Sequence, residues 1–139
     1  MGVCRYMSDL TTLNQEGFNK YAQLIGIEFV EIGEGRCRAE LDVREDHFHP
    51  GQIVHGGVAF SLADSSMAMA IISKMETGYS ANTIELKISY MSAVTEGRMV
   101  SEAWIVKQGR KIAFMEARVT VGEKLVATAT ATFAMVKMG

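Results

Sequence analysis

The sequence has little of several features that would each point to a class of protein. Proline occurs once in 139 residues and cysteine twice, at Cys4 and Cys37, without the Cys-x-x-Cys or Cys/His spacing of a metal site. Lys plus Arg number 14 against 16 for Asp plus Glu, so no excess of positive charge attracts nucleic acid. We therefore expect no disulfide framework, no low-complexity linker and no nucleic-acid partner, and a reducing compartment.

No segment is typical of a leader or a membrane anchor. Residues 1–25 contain no apolar core of signal-peptide length, and Met1-Gly2 is not followed by the Ser or Thr of a myristoylation site. The long apolar stretch from Val58 to Ile72 contains Asp64 and three serines, which argues against a spanning helix. We expect a cytoplasmic protein with no membrane partner.

The length and an apolar content of 48% fit one domain with its own core. We expect a tail over residues 1–10 and a single domain over residues 11–139. Apolar residues at helical spacing predict an opening helix from Thr11 to Leu24 that stops near Gly26. Period-two alternation and turn residues predict six strands, at Ile27–Ile32, Arg36–Val43, Thr83–Tyr90, Arg98–Val106, Ile112–Val121 and Lys124–Val136.

The segment Val58–Met75 predicts a long helix that is apolar nearly all round. Such a helix must be covered on most of its surface, and one curved antiparallel sheet can do so by wrapping it. The sequence therefore predicts an α+β fold with a central helix and about six strands, the last four joined as a meander. Open sheet edges would favour pairing between copies of the chain.

Asp64 is the anomaly within this helix. It shares an apolar stripe with Phe60 and Met67, which lie four residues before it and three after it. Burying an unpaired charge there would cost several kcal/mol or force the carboxylate to take up a proton. Either another element pairs Asp64, or Asp64 lines a cleft where a ligand meets it.

His55-Gly56-Gly57 stands where the helix begins, and the first backbone N–H groups of a helix have no intrahelical partners. The N–H of Gly56 or Gly57 could polarise a carbonyl oxygen there. Asp64 follows His55 by nine residues, roughly 13 Å along a straight helix, which is too far for both to act on one atom. Two antiparallel helices in a dimer would bring the helix start of one copy to Asp64 of the other.

Simpler interpretations stay open. A Gly-Gly pair before a helix is commonly only a turn, and an aspartate in a helix is commonly solvated or salt-bridged. His47 and His49 lie in a polar loop and are expected at the surface. Together with His55 they make a weak case for a metal, so no metal is expected.

The segment His49-Pro-Gly-Gln-Ile-Val-His-Gly-Gly-Val-Ala-Phe-Ser-Leu-Ala-Asp64 resembles the signature of hotdog-fold acyl-CoA thioesterases of the PaaI-like, phenylacetyl-CoA thioesterase group. Thr83–Tyr90 resembles the strand after that family's central helix, and Lys107–Lys111 its hairpin between later strands. Gly122–Phe133 resembles its last strand. The resemblance runs from about residue 17 to the end and implies a hotdog fold.

The resemblance also implies roles for single residues. Asp64 matches the catalytic carboxylate, which acts as a general base on water or as a nucleophile toward the thioester carbon. Gly56 matches the residue whose N–H holds the thioester oxygen, with His55 shaping the turn. Thr83 falls where relatives place a hydroxyl that orients the water. His49 stands where many relatives have Asn, although an imidazole can also donate a hydrogen bond.

The implied substrate is an acyl-CoA. We expect its acyl part to contact residues near the helix start and along the helix, at Gly57, Phe60, Met67 and Met91, and its phosphates to meet a basic cluster, Lys107, Arg110 and Lys111. Core filling is the alternative for Met67, and a solvated hairpin tip is the alternative for the basic cluster. One carboxylate, one polarising N–H and an apolar slot could hydrolyse a thioester, so no cofactor is expected.

The leading hypothesis is an acyl-CoA thioesterase that acts as a homodimer or as a dimer of dimers. A second hypothesis is that the same fold binds or senses acyl-CoA without cleaving it. A third is a hydratase or dehydratase, which would need a carboxylate and a histidine at one carbon, and His55 is a poor candidate for it. The acyl group stays open, because apolar pockets discriminate between acyl chains by only about 1–3 kcal/mol.

Overall fold

The computed structural model describes residues 9–139; Cys4 and most of the expected tail lie outside this range. Two short helices come first, α1 (Leu10–Leu13) and α2 (Lys20–Ile25). The prediction of one helix from Thr11 to Leu24 was therefore wrong. Gly17 adopts a φ of 84° between the two helices, and the Asn19 side chain accepts the Ala22 N–H at 3.0 Å to start a new helix.

The remaining elements follow the predicted order, with bounds that differ by a few residues. The strands β1 and β2 form a hairpin, the central helix α3 follows a loop, and four longer strands complete the chain. Their ranges are β1 (Glu28–Gly33), β2 (Arg36–Asp42), α3 (Gly56–Ile72), β3 (Tyr79–Tyr90), β4 (Arg98–Gln108), β5 (Ile112–Val121) and β6 (Lys124–Lys137).

The six strands form one antiparallel sheet in the order β1-β2-β4-β5-β6-β3. The predicted meander is correct for β4, β5 and β6, but β3 lies at the sheet edge, paired with β6 from Tyr79↔Lys137 to Tyr90↔Ala127. The prediction was wrong at β3 because a tight turn fixes only the two strands it joins. Residues 91–97 instead carry the chain from this edge to β4 in the middle of the sheet.

The curved sheet wraps α3, whose buried face packs mainly across β2 and β4. Leu62, Met67 and Ile71 have no exposed surface. The two hydroxyl groups of Ser66 and Ser101, also buried, hydrogen-bond to each other at 2.8 Å between helix and sheet. A single long helix inside a six-stranded antiparallel sheet is the hotdog fold, as the resemblance implied.

One face of α3 stays partly exposed, and we call it the outer stripe. Its members recur at helical spacing along one side of the helix: Gly57, Phe60, Ser61, Asp64, Ser65 and Ala68. The stripe lies between α2 and the edge strand β3. The Tyr21 hydroxyl of α2 contacts the Ser61 hydroxyl of the stripe at 2.7 Å. Within the range 9–139, no helix combines the length and hydropathy needed to cross a membrane.

Candidate active site

The start of α3 is shaped by its cap. The His55 imidazole accepts the Gly57 N–H on Nδ1 at 2.8 Å, and the His55 carbonyl accepts the Val58 N–H at 3.0 Å. The Gly56 N–H comes before these two donors in the chain and donates to no group in the described part of the chain. Because the helix dipole is positive at this end, the N–H suits a carbonyl oxygen that gains negative charge.

Tyr90 holds the other side of Gly56. This last residue of β3 donates its hydroxyl to the Gly56 carbonyl at 2.6 Å. A Cβ atom on residue 56 would lie 3.0 Å from both Cζ and Oη of Tyr90. The φ of Gly56 is not in the positive region, so glycine is needed here for space and not for backbone conformation.

The loop before α3 is held by the end of α2. His47 is only 3% exposed, and its Nε2–H donates to the Ile25 carbonyl at 2.6 Å while Nδ1 accepts the Arg44 N–H at 3.1 Å. The Arg44 guanidinium also donates to the Ile25 carbonyl, at 3.2 Å. The prediction of a surface position for His47 was wrong, because the last carbonyls of a helix need donors and the loop supplies them.

His49 stays in the loop near the helix start. Its Nδ1 accepts the Gly51 N–H at 2.8 Å, which is a local turn contact. The rings of His49 and His55 meet edge to face, with centroids 6.4 Å apart. His49 therefore lies beside the helix start, with its Nδ1 already occupied as an acceptor.

Asp64 has one hydrogen-bond partner, on the neighbouring strand. The Thr83 hydroxyl donates to Oδ1 of Asp64 at 2.7 Å, and no ion pair found in residues 9–139 includes this carboxyl. Burial raises the pKa of the Asp64 carboxyl, and the Thr83 hydrogen bond partly opposes the rise. Asp64 is thus a half-buried carboxyl without a cation, held in one orientation and open along the outer stripe.

A β-bulge aims Thr83 at Asp64. Thr83 pairs with Phe133 and Glu85 pairs with Thr132, so Ile84 is an extra residue in the strand. Without the bulge, strict alternation would put Thr83 on the face opposite to Leu86. The bulge places both on the helix side of the sheet.

A cavity of about 330 Å³ opens beside the helix start, within the size range of small-molecule sites. No Lys, Arg, Asp or Glu lines it. Its walls are mostly apolar, with polar or aromatic groups near Gly56; they comprise His49, Ile53, Val54, His55, Gly56, Ala59, Tyr90, Met91, Ser92, Ala93, Val94, Met99 and Val126. The cavity can hold an uncharged, largely apolar group next to the Gly56 N–H.

The structure brings some of the predicted residues together and separates others. His49, His55, Gly56 and Met91 meet at the cavity, whereas Asp64 lies further along α3, with Thr83 beside it on β3. Phe60 is 38% exposed on the outer stripe, near Gly57. Met67 is fully buried in the core, away from the outer stripe.

The three predicted phosphate-binding residues, Lys107, Arg110 and Lys111, are exposed around the β4–β5 turn. Arg110 lines a groove with Lys74, which follows the C-terminal end of α3. Within one chain, the basic cluster therefore lies at the opposite end of the helix from Gly56. No group of three or more His, Cys, Asp or Glu side chains in residues 9–139 could hold a metal ion.

Sequence reasoning missed Tyr90. The alternation of Leu86, Ile88 and Tyr90 indicates that the three share the helix side of β3. That signal places the ring toward the helix, but the contact with Gly56 spans 34 positions of sequence and depends on how β3 docks.

Comparison with known proteins identifies the family of this chain. Residues 51–132 match the family model described as the thioesterase superfamily, a segment that contains Gly56, Asp64, Thr83 and Tyr90. A protein of Archaeoglobus fulgidus, provisionally named an esterase, is 37% identical over 117 residues, which cover 82% of this chain and 73% of that protein.

Two further relatives carry more specific names. Acyl-coenzyme A thioesterase 13 of Homo sapiens is 30% identical over 95 residues, which cover 68% of this chain and 67% of that protein. A mutant of the phenylacetic acid degradation protein PaaI from Thermus thermophilus aligns with a TM-score of 0.77 at 26% identity, over 84% of this chain and 98% of that one. The family match covers more than half of the sequence and the fold is consistent with it, so the chain belongs to the thioesterase superfamily.

Proposed function

We propose that this thioesterase hydrolyses acyl-CoA thioesters to a free acid and CoA, at a site shared by two copies of the chain. The observation that carries the proposal is the Asp64 carboxyl, which has no cation partner within residues 9–139, is bonded to Thr83 at 2.7 Å and lies on the partly exposed stripe of an otherwise buried helix. The name of the human relative supports acyl-CoA as the substrate.

The chemistry requires one base and one polarising donor. Asp64 removes a proton from water, and the oxygen of that water attacks the thioester carbon. The Gly56 N–H stabilises the negative charge that develops on the carbonyl oxygen. The C–S bond then breaks, the sulfur takes the electron pair as a thiolate, and the proton held by Asp64 returns to the thiolate or the solvent. A thiolate is a good leaving group, so no second acid is required.

Two copies are needed because Gly56 and Asp64 lie too far apart in one chain. They are eight residues apart on α3, which is roughly 12 Å along the axis. If two α3 helices lie antiparallel along their outer stripes, Gly56 of one copy faces Asp64 of the other. The partly exposed stripe and the adjacent edge strand β3, where Ile84 is 55% exposed, support self-association there.

The cavity beside Gly56 would take the acyl group. Its lining has no charged side chain, which suits an acyl chain better than a pantetheine arm whose two amides need hydrogen-bond partners. Phe60 and Gly57 would close the site along the outer stripe. In an antiparallel pair the basic cluster of the second copy moves toward the helix start of the first, where Lys107, Arg110 and Lys111 would meet the CoA phosphates.

The first experiment is thiol release from a panel of phenylacetyl, hydroxybenzoyl and straight-chain acyl-CoAs. We expect turnover by the wild type and a loss of about 10²–10⁴-fold in kcat for Asp64→Asn, the range for a general base. Release that is equal in the variant would remove Asp64 from the chemistry. A protein that binds intact acyl-CoA and releases no thiol would be a binding protein instead.

A mixing experiment tests the shared site. Asp64→Asn removes the base from one half of the site, and Gly56→Val fills the space beside the helix-start N–H in the other half. A mixed dimer keeps one intact site made from the two unmutated halves. With random pairing of coexpressed variants, we expect about a quarter of wild-type activity, although each variant alone is inactive. No recovery in a verified mixed dimer would place both residues in sites within one chain.

The basic cluster has its own test. Neutralising Lys107, Arg110 and Lys111 together should raise KM for acyl-CoA and leave kcat unchanged, and the effect should shrink at high salt because ions screen surface charges. The control neutralises Lys87 and Arg118, which are exposed on β3 and β5. An unchanged KM would remove the cluster from substrate binding.

A further inference from the structure

Tyr90 is the side chain at the helix start that the proposed chemistry does not use. It is half exposed, and it lines the cavity together with His55 and Met91. Its hydroxyl donates to the Gly56 carbonyl at 2.6 Å. A phenol beside a cavity can hydrogen-bond to water or ligand, and here it donates to Gly56, whose own N–H has no partner within residues 9–139.

The ring supplies a second contact with the same residue. The Cζ and Oη atoms of Tyr90 occupy the space that a Cβ atom on Gly56 would need, with 3.0 Å to either atom. The cap between His55 and Gly57 holds the same peptide, because the Gly56 carbonyl and the Gly57 N–H belong to one peptide unit. The Gly56–Gly57 peptide is thus held at its N–H by the cap and at its carbonyl by Tyr90.

We propose that Tyr90 is a positioning residue, which fixes Gly56 at the helix start so that its N–H points at the thioester carbonyl oxygen. The inference rests on the proposed function and adds a residue to it. Oxyanion donors accelerate a reaction when they are already in place before charge develops, and a glycine without side-chain contacts would be free to move. The Tyr90 hydroxyl supplies a hydrogen bond and its ring supplies packing.

The hydroxyl donates only while it is protonated. Burial raises the pKa of the Tyr90 phenol, so the donor is retained through the neutral range. Above the ordinary tyrosine range, a phenolate would place negative charge against the Gly56 carbonyl and lose the hydrogen bond. The role therefore predicts an alkaline decline in kcat that depends on this hydroxyl.

The test compares Tyr90→Phe with Tyr21→Phe. The first removes the hydrogen bond to Gly56 and keeps the ring. The second removes a hydroxyl contact of 2.7 Å to Ser61 and leaves the bond to Gly56 in place. We expect Tyr90→Phe to lower kcat about tenfold with KM within about twofold, the pattern of an interaction made in the transition state. The alkaline decline in kcat should be absent from Tyr90→Phe, and Tyr21→Phe should match the wild type in kcat, KM and pH profile.

Three outcomes separate the inference from the function beneath it. If wild type and both variants turn over equally with identical pH profiles, Tyr90 has no positioning role and the thioesterase function stands. If Tyr90→Phe raises KM and leaves kcat unchanged, the hydroxyl stabilises the bound substrate and the transition state equally, and the inference is wrong. If the wild type releases no thiol from any acyl-CoA, the proposed function fails and the role of Tyr90 fails with it.

A measurement without substrate gives a second check. The amide resonance and exchange rate of Gly56 should change in Tyr90→Phe and stay unchanged in Tyr21→Phe, because only the first variant removes a bond to that residue. Gly56→Ala should destabilise the wild type through the 3.0 Å clash and destabilise Tyr90→Ala less. An unchanged Gly56 amide in Tyr90→Phe would overturn the inference.

Discussion

At the scale of single residues, Asp64 combines two opposing effects on one carboxyl. Burial disfavours its charged form and raises its pKa, while the Thr83 hydroxyl favours the charged form through a 2.7 Å hydrogen bond. A higher pKa makes the carboxylate a stronger base toward water but moves the loss of activity in acid to a higher pH. The Thr83 hydrogen bond therefore lowers the pH at which the Asp64 carboxyl ionises.

Removing the Thr83 hydroxyl should move the acid limb of kcat/KM to higher pH. In the proposed mechanism Asp64 acts while ionised. Thr83→Ala removes the contact that lowers the Asp64 pKa, so a larger fraction of Asp64 is protonated at a given pH. Thr83→Ser keeps a hydroxyl and should retain the wild-type profile. The measurement is kcat/KM against pH for the three proteins, and an acid limb that moves down in Thr83→Ala would contradict the assignment.

Asp64→Asn should be at least as stable as the wild type at neutral pH. The folded pKa is raised, so the ionised carboxyl is less favourable in the folded than in the unfolded chain. This penalty is absent below the ordinary aspartate pKa of about 4 and is present above the raised folded value.

Thermal unfolding of Asp64→Asn and wild type at pH 7 and near pH 3 checks the sign. The stability advantage of the variant should shrink in acid, where the wild-type carboxyl is protonated as well. A variant that is clearly less stable at pH 7 would show that the ionised Asp64 stabilises the fold.

At the scale of elements, the start of α3 depends on a histidine cap. Most helices are capped by Ser, Thr, Asp or Asn, and here the imidazole of His55 accepts the Gly57 N–H instead. The Gly57 backbone comes so close that a Cβ atom there would lie 2.9 Å from His55 Nδ1. The two glycines and the histidine thus form one unit that leaves a single N–H free.

His55→Ala should lower the free energy of unfolding by about 1 kcal/mol, the usual cost of losing a cap. His55→Asn supplies another side-chain acceptor and should recover most of that loss. Urea unfolding at one fixed protein concentration measures both, since association would otherwise change the apparent stability. Equal stabilities for the wild type and both variants would show that the cap adds nothing to the fold.

At the scale of the whole molecule, the outer stripe predicts how two copies would meet. If Gly56 of one copy faces Asp64 of the other across a two-fold axis, the residue halfway between them faces its own copy. That residue is Phe60, which is 38% exposed. Ala68 lies on the same stripe but eight residues past this axis, so its two copies would be roughly 24 Å apart.

Phe60→Cys should therefore form an intermolecular disulfide on mild oxidation, and Ala68→Cys should not. Cys37 is buried, with its pKa raised to about 12, and contributes little to the background. The measurement is the fraction of covalent dimer on a non-reducing gel, with Cys4→Ser in both variants. Equal cross-linking of the two positions would exclude the antiparallel register.

Sequence patterns predicted most elements because each of them depends on local periodicity. The alternation in β2 and the apolar run of α3 both gave bounds within a few residues of the structure. The prediction of one opening helix was wrong because Gly17 and the Asn19 cap interrupt a pattern that apolar spacing alone would continue. The prediction of a surface position for His47 was wrong because its burial depends on the end of α2, 22 residues earlier in the chain.

The sequence by itself determined the central helix, the number of strands, the motif at the helix start and the unusual position of Asp64, since these follow from residue order and spacing. Only the tertiary structure decided that β3 pairs with β6, that a bulge at Ile84 aims Thr83 at Asp64, and that Tyr90 lies against Gly56. Each of these depends on contacts between residues far apart in the chain, whose geometry is fixed by packing and strand register and not by local preference.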